Sequence, residues 1–174
     1  REDFSYAEQL GLNTVRLSVN WARLEPRPGE FDLKEIKHYH DVIDDLRSRK
    51  INPVLTLHHF AHPRWFTKSG AWLNAESPLL FERFAKKMGE EFHQKVSLWI
   101  TMNEPMVLST EGYLKGGYPP GISDFNKAVV AMENLVRAHG RAAQALRAFS
   151  FNKTGADGNL LSVTGVGIAL NMHW

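Results

Sequence analysis

The chain contains no cysteine. Disulfides, thiolate metal sites and cysteine nucleophiles are therefore excluded, although the compartment is not decided by this. Long apolar runs are missing too: nothing approaches the roughly 18 consecutive apolar residues of a membrane span. A charge of one sign is also lacking. Lys and Arg number 21 and Asp and Glu 19, a formal net charge of +2 over 174 residues. Without a basic stripe or a single-sign block, neither nucleic acid nor an acidic membrane surface is expected as a partner. No positively charged stretch followed by an apolar one marks a secretory signal, so a cytoplasmic location is expected. The first residue is Arg1 rather than Met, and that expectation concerns these residues only. Hydrophobic side chains make up 43%, enough to build a core.

What the chain does have is a charged motif at the end of an apolar strand. Val96-Ser97-Leu98-Trp99-Ile100-Thr101-Met102 reads as a buried, partly β-branched strand that stops in Asn103-Glu104-Pro105. Pro105 has no N–H for a ladder and biases Glu104 toward extended backbone, so the regular strand is expected to stop there. A carboxyl group and an amide are thus delivered to the end of a core strand beside apolar walls. Such a setting raises a carboxyl pKa and prepares a general acid. A strand-ending glutamate that merely meets water fits the same residues.

Around this motif one pattern repeats. Glu2 to Leu10 reads as the tail of a helix, with Gly11 just past its end. Thr14 to Val19 follows as a strand. Asp32 with Glu35 three residues on resembles a capping box, and Leu33, Ile36, Tyr39, Ile43 and Leu46 stripe the helix behind it. Pro53 to His59 is the next strand. Ser77 as N-cap and Pro78 at the first helical position open a helix striped by Phe81, Phe84, Ala85, Met88 and Phe92. After the Glu104 strand and a glycine-proline loop, a long helix is expected from about Asp124 to Phe149, and a last strand from Val163 to Leu170.

Strands alternating with amphipathic helices imply an α/β fold with parallel strands. Polar residues gather at the C-terminal strand ends: Asn20 and Trp21, His58 and His59, Asn103 and Glu104, Asn171 and His173. In a parallel barrel or open sheet, that edge carries the chemistry. Four strands cannot close an eight-stranded barrel of about 250 residues, so part of a larger protein is expected. In a half-barrel, interior residues such as Val15, Leu17, Leu55 and Leu57 are expected to lose their partners. Association with the remainder of the barrel or with a second copy follows from that exposure.

Four segments resemble one family: Arg16-Leu17-Ser18-Val19-Asn20-Trp21-Ala22-Arg23, Thr56-Leu57-His58-His59-Phe60, Trp99 to Pro105 and Gly117-Tyr118-Pro119-Pro120-Gly121. They stand in the order seen in family 1 glycoside hydrolases, the β-glucosidase family. The resemblance covers essentially residues 1–174. It implies a partial (β/α)8 barrel catalytic domain running from about barrel strand 2 to strand 5, lacking strand 1 and strands 6–8. It implies retaining hydrolysis of a β-linked oligosaccharide or an aryl or alkyl β-glycoside, without cofactor or metal. On this likeness Glu104 is the general acid/base, with a pKa raised by apolar walls and by the second carboxylate. Arg16 orients the nucleophile, Asn103 binds the sugar 2-hydroxyl, and His59 binds another sugar hydroxyl. Trp21, Phe60 and Asn171 are candidate lining residues, Phe60 standing where the family often has tryptophan. The family's nucleophile is usually a glutamate followed by Asn-Gly, and no Glu-Asn-Gly occurs in this chain.

The same residues allow plainer readings. Arg16 could be a buried ion-pair partner in a strand. Successive side chains of a regular strand alternate, so His58 and His59 cannot both face a barrel lumen, and one is expected to be a packed, hydrogen-bonded residue. His58, His59 and His62 raise the thought of zinc, but Pro63 and the strand end give no helical spacing for it. His139, on an apolar helical stripe, fits a core residue. Lys115 to Gly121 could be a surface turn or the edge of a site entrance, and Asn152-Lys153-Thr154 matches a glycosylation sequon. The alternatives to an enzyme fragment are a non-catalytic carbohydrate-binding or scaffold protein derived from such a barrel, and a metal hydrolase built on the histidines.

Overall fold

The computed structural model describes residues 2–149 and 165–171. Its strands are β1 (Thr14–Ser18), β2 (Asn52–His58), β3 (Leu98–Asn103) and β4 (Gly165–Ala169). They form one parallel sheet in the order β1-β2-β3-β4. The expected strands thus stand, each shifted by a residue or two. Residues 163 and 164, His173 and the 152–154 sequon lie outside the described residues.

Helices α1 (Glu2–Gln9), α2 (Trp21–Leu24), α3 (Leu33–Ser48), α4 (Arg64–Lys68), α5 (Ser77–Phe92), α6 (Pro105–Ser109) and α7 (Phe125–Arg147) separate the strands. A 3₁₀ turn at Ala71–Leu73 leads into α5, and a π-helical turn at Thr110–Leu114 extends α6. Gly11 takes a φ of +71° just past α1, where a Cβ would be strained. Asp32 caps α3 by accepting from the amides of Lys34 at 2.8 Å and Glu35 at 3.3 Å. Only half of the expected capping box forms. The Asp32 amide donates to the Leu24 carbonyl at 2.9 Å, and Glu35 pairs with Arg23 at 2.7 Å instead.

Ser77 is not the cap of α5. It is the first helical residue, buried, with its hydroxyl unpaired, while the Glu76 amide donates to Asn74 Oδ1 at 2.9 Å. The asparagine turn before the helix takes the role expected of the serine. Asp124 caps α7 by accepting from the Lys127 amide at 3.0 Å.

The two faces of the sheet differ. Leu55, Leu57, Trp99 and Met102 join Ile36, Ile43, Phe81, Phe84, Met88, Phe92, Leu135 and Ala142 in one apolar core. Each large side chain so buried contributes about 1.5–3 kcal/mol. Val15 and Leu17 pack on a smaller cluster of Ala7, Leu46 and Ile51. The expectation that Val15, Leu17, Leu55 and Leu57 lose their partners is therefore corrected. Strand alternation places them on the covered face, because Arg16 and Ser18 occupy the open one. On that open face Leu98 is 45% exposed, and Val54 and Ile100 are partly so.

Trp21 lies in the middle of the covered side. Its ring stacks on Phe84 with centroids 5.0 Å apart and touches Phe66, Phe81, Trp65 and His58. Its indole N–H donates to Glu25 Oε2 at 2.7 Å. Glu25, fully buried, also accepts from the Gly29 amide at 2.7 Å and pairs with Arg83. Such a carboxylate persists inside a core only when its oxygens are satisfied, as these are. Among the described residues no helix is long and apolar enough to cross a membrane.

Candidate active site

Arg16 projects from the middle of β1 onto the open face. Its Nε donates to Thr56 Oγ1 on β2 at 2.8 Å, and its Nη2 donates to Asn103 Oδ1 at the end of β3 at 2.5 Å. One guanidinium thus ties three strands. Arginine can only donate, so it selects the amide oxygen of Asn103 and leaves the amide NH2 to point at something else. Both acceptors are neutral, and among the described residues Arg16 has no acidic partner. The structural ion pair weighed from sequence is not what these residues form.

Asn103 reaches Arg16 only because β3 is irregular. Thr101 Oγ1 lies 2.7 Å from His139 Nδ1 of α7, on the covered side. Asn103, two residues on, bonds across the open face. In a regular strand both would share a face, and a register shift between Ile100 and Asn103 separates them. His139 is accordingly a partly buried residue bonded to β3, its pKa lowered chiefly by burial and then by the Arg147 charge.

Glu104 follows directly. Its amide continues the sheet by donating to the Ala169 carbonyl of β4 at 2.8 Å, while its carbonyl opens α6 by accepting from Leu108 at 3.1 Å. One residue thus turns strand into helix, and it does so in left-handed backbone, φ 47° and ψ 60°. The extended conformation expected ahead of Pro105 is corrected: the need to reverse direction within one residue outweighs the usual bias. Left-handed backbone costs a side-chain-bearing residue about 1–2 kcal/mol. The Glu104 carboxyl is half-buried and makes no hydrogen bond or ion pair among the described residues.

The two adjacent histidines part ways. His58 is fully buried, edge-on to Trp72 and Phe81, with Nε2 3.5 Å from His62 Nδ1. Burial, with smaller pushes from His62 and His59, lowers its pKa to about 3. Burial likewise lowers His62 to about 4, so both are neutral near pH 7. His59 instead lies on the open face with Nδ1 2.9 Å from Ser18 Oγ. The three rings do not converge, which removes the geometric basis for a zinc site at residues 58, 59 and 62.

Of the candidate lining residues, Trp21 is corrected: fully buried in the aromatic core, it has no surface to offer a ligand. Phe60 is partly buried beside His59, with ring centroids 5.3 Å apart. Asn171 is exposed two residues past β4. Arg16 and Asn103 are brought together, with Glu104 next in the chain and His59 on the same open face. Sequence reasoning missed Thr56 and Ser18 as their partners. The even spacing of Arg16 and Ser18 along β1 was the available signal for one of them.

Parallel strands joined through helices, with polar side chains at the C-terminal strand ends, are the arrangement of part of a (β/α)8 barrel. Residues 1–174 match Glycosyl hydrolase family 1, and the chain belongs to that family. It is 35% identical over 154 residues to a 6-phospho-beta-galactosidase of Clostridium acetobutylicum, covering 87% of this chain and 32% of that protein. Beta-glucosidase A of Thermotoga maritima is 35% identical over 148 residues, covering 84% and 33%. The beta-glucosidase from Thermotoga maritima in complex with glucoimidazole superposes with a TM-score of 0.83 at 35% identity, covering 85% of this chain and 34% of that one. The AHE enzyme from Alicyclobacillus herbarius gives 0.89 at 28% identity, covering 99% and 37%. The chain spans about a third of the length of these relatives, 32–33% for the two named by sequence.

Proposed function

We propose that residues 1–174 supply about strands 2 to 5 of the barrel of a retaining β-glycosidase, acting on a β-linked oligosaccharide or an aryl or alkyl β-glycoside. The observation that carries this reading is the Arg16–Asn103 bond on the open face, with Glu104, whose carboxyl has no bond among the described residues, next in the chain after Asn103. A retaining mechanism needs two carboxyl groups about 5–5.5 Å apart. Glu104 is the first. The second belongs to a part of the barrel outside these residues, and Arg16, a cation with only neutral acceptors, is placed to hold it ionised and aimed.

In the first step that carboxylate attacks the anomeric carbon while the Glu104 carboxyl gives its proton to the departing glycosidic oxygen. In the second, the Glu104 carboxylate takes a proton from the water that cleaves the glycosyl-enzyme. Asn103, its oxygen occupied by Arg16, offers its NH2 to the sugar 2-hydroxyl oxygen. His59 binds a further hydroxyl of the same sugar. The 6-phospho-beta-galactosidases and beta-glucosidases among the relatives leave the phosphorylation of the sugar as a variable of this reading.

The test is Glu104→Gln in the complete protein. Aryl glycosides with good leaving groups should still glycosylate the enzyme quickly and deglycosylate slowly, with turnover restored by azide. Equal loss for good and poor leaving groups, without azide rescue, rules out the role. The 174-residue chain alone, with one carboxyl at the site, is expected to cleave no nitrophenyl β-glucoside and to associate through its open face and strand edges. A compact, active monomer in sedimentation and assay counts against that.

A further inference from the structure

His59 leaves the ladder of β2 and its ring comes to rest on β1. The slip is visible in the spacing. Thr56 and His59 are three residues apart, an odd separation, yet they bond to Arg16 and Ser18, which share one face of β1. A tight turn makes the displacement. The Ala61 amide donates to the His59 carbonyl at 2.8 Å, and Phe60 between them has a φ of +65°. A three-residue turn with positive φ at a phenylalanine is rare and strained, and strain of this kind is kept where surrounding structure demands it. The Phe60 ring meets the imidazole at 70°. The ring of His59 is thus held from its own backbone on one side and from a hydroxyl on the other.

Resting on the reading of His59 as a sugar-binding residue, we propose that Ser18 is its positioning residue, fixing the tautomer and direction of the imidazole so that Nε2 meets the sugar hydroxyl. A neutral imidazole carries one donor and one acceptor nitrogen, and a bond at one decides what the other offers. The Ser18 hydroxyl hydrogen has no other acceptor among the described residues, so its donation to Nδ1 satisfies both groups. Nε2 then carries the proton and donates. A serine on the same strand face as Arg16 therefore extends the site from the reacting centre toward substrate recognition. His58 cannot substitute, because it is sealed among Trp21, Trp72 and Phe81.

The experiment uses the complete protein with ¹⁵N-labelled histidine. His59 should show the Nε2–H tautomer, and Ser18→Ala should shift it to a mixture. With an aryl β-glycoside, Ser18→Ala should lower kcat/KM about tenfold, mainly through KM, and Ser18→Thr should restore it. In a His59→Ala background the same substitution should do nothing further. An equal loss in both backgrounds, an unchanged tautomer, or a shifted tautomer with unchanged KM each overturns the proposal. If the complete protein cleaves no β-glycoside, the functional reading fails by itself, and the tautomer measurement still accepts or rejects the Ser18–His59 pairing.

Discussion

The covered and open faces of this sheet are made from alternate residues of the same strands, yet they obey different rules. On the covered face, Trp21, Phe66, Trp72, Phe81 and Phe84 close into a dry aromatic core, and even the buried Glu25 has its partners. On the open face Arg16 bonds Thr56 and Asn103, and Ser18 bonds His59; the Glu104 carboxyl, next in the chain after Asn103, has no partner among the described residues. The first face is closed by apolar packing. The second carries a guanidinium bonded only to neutral acceptors among the described residues, where the proposed function places a second carboxylate. Two neighbouring histidines make the same contrast at the scale of a single peptide bond.

The sharpest way to separate the faces is to break each in turn in the complete protein. Glu104→Gln should lower kcat on a poor-leaving-group glycoside by about 10²–10⁴-fold. The same change should leave the thermal midpoint no lower than wild type, and a large loss of stability would show that the open face carries structure too. Phe84→Ala should do the reverse, costing about 3–5 kcal/mol in denaturant unfolding. The kcat of the folded fraction should hold, and a collapse of kcat with little change in stability would erase the distinction.

A smaller effect comes from pH. His58 is held neutral down to about pH 3 in the folded protein, against an ordinary value of 6.5. As pH falls below that ordinary value the unfolded chain takes up the proton first. Stability is therefore full above it and declines by up to about 1.4 kcal/mol per pH unit toward the folded value. His62, lowered by its own burial, adds in the same direction. Urea midpoints between about pH 6.5 and pH 5 should show the decline, and His58→Phe should flatten it. A slope unchanged by that substitution would mean other groups set it. The smallest expected effect is at Thr101, which faces the core two residues before Asn103. Thr101→Val removes its bond to His139 and should cost about 1 kcal/mol of stability. A tenfold loss in kcat with that substitution would show that the two faces are coupled through β3.

The architecture was legible because apolar periodicity and caps are local signals. The stripe of α5, that of α3 apart from the exposed Leu33, and the cap at Asp32 follow from spacing, as did the parallel strands. Errors came where one residue serves two elements. Glu104 ends a strand and opens a helix, and no propensity of Glu-Pro announces left-handed backbone. Ser77 looked like a cap, but Asn74 upstream takes the turn and burial claims the serine. Trp21 sits in a motif beside Asn20 and so looked like rim, whereas alternation sends it inward with Val19. Asn103 and Glu104 could be marked as site residues because polar groups after an apolar run stand out. Thr56 could not, because small hydroxyl residues are ordinary in strands and only the third dimension brings it to Arg16; Ser18 was legible only as sharing a strand face with Arg16.

The left-handed backbone at Glu104 has a consequence for how such a chain changes under selection. At that conformation glycine is the residue the backbone prefers, and replacing the glutamate with it relieves strain worth about 1–2 kcal/mol. A screen that rewards only thermal tolerance or yield therefore has a favourable step available at the position to which the proposed function assigns the general acid/base. Populations kept for robustness alone should drift toward glycine or asparagine at 104. Retention of glutamate there marks a lineage in which the chemistry, and not the fold, is being chosen.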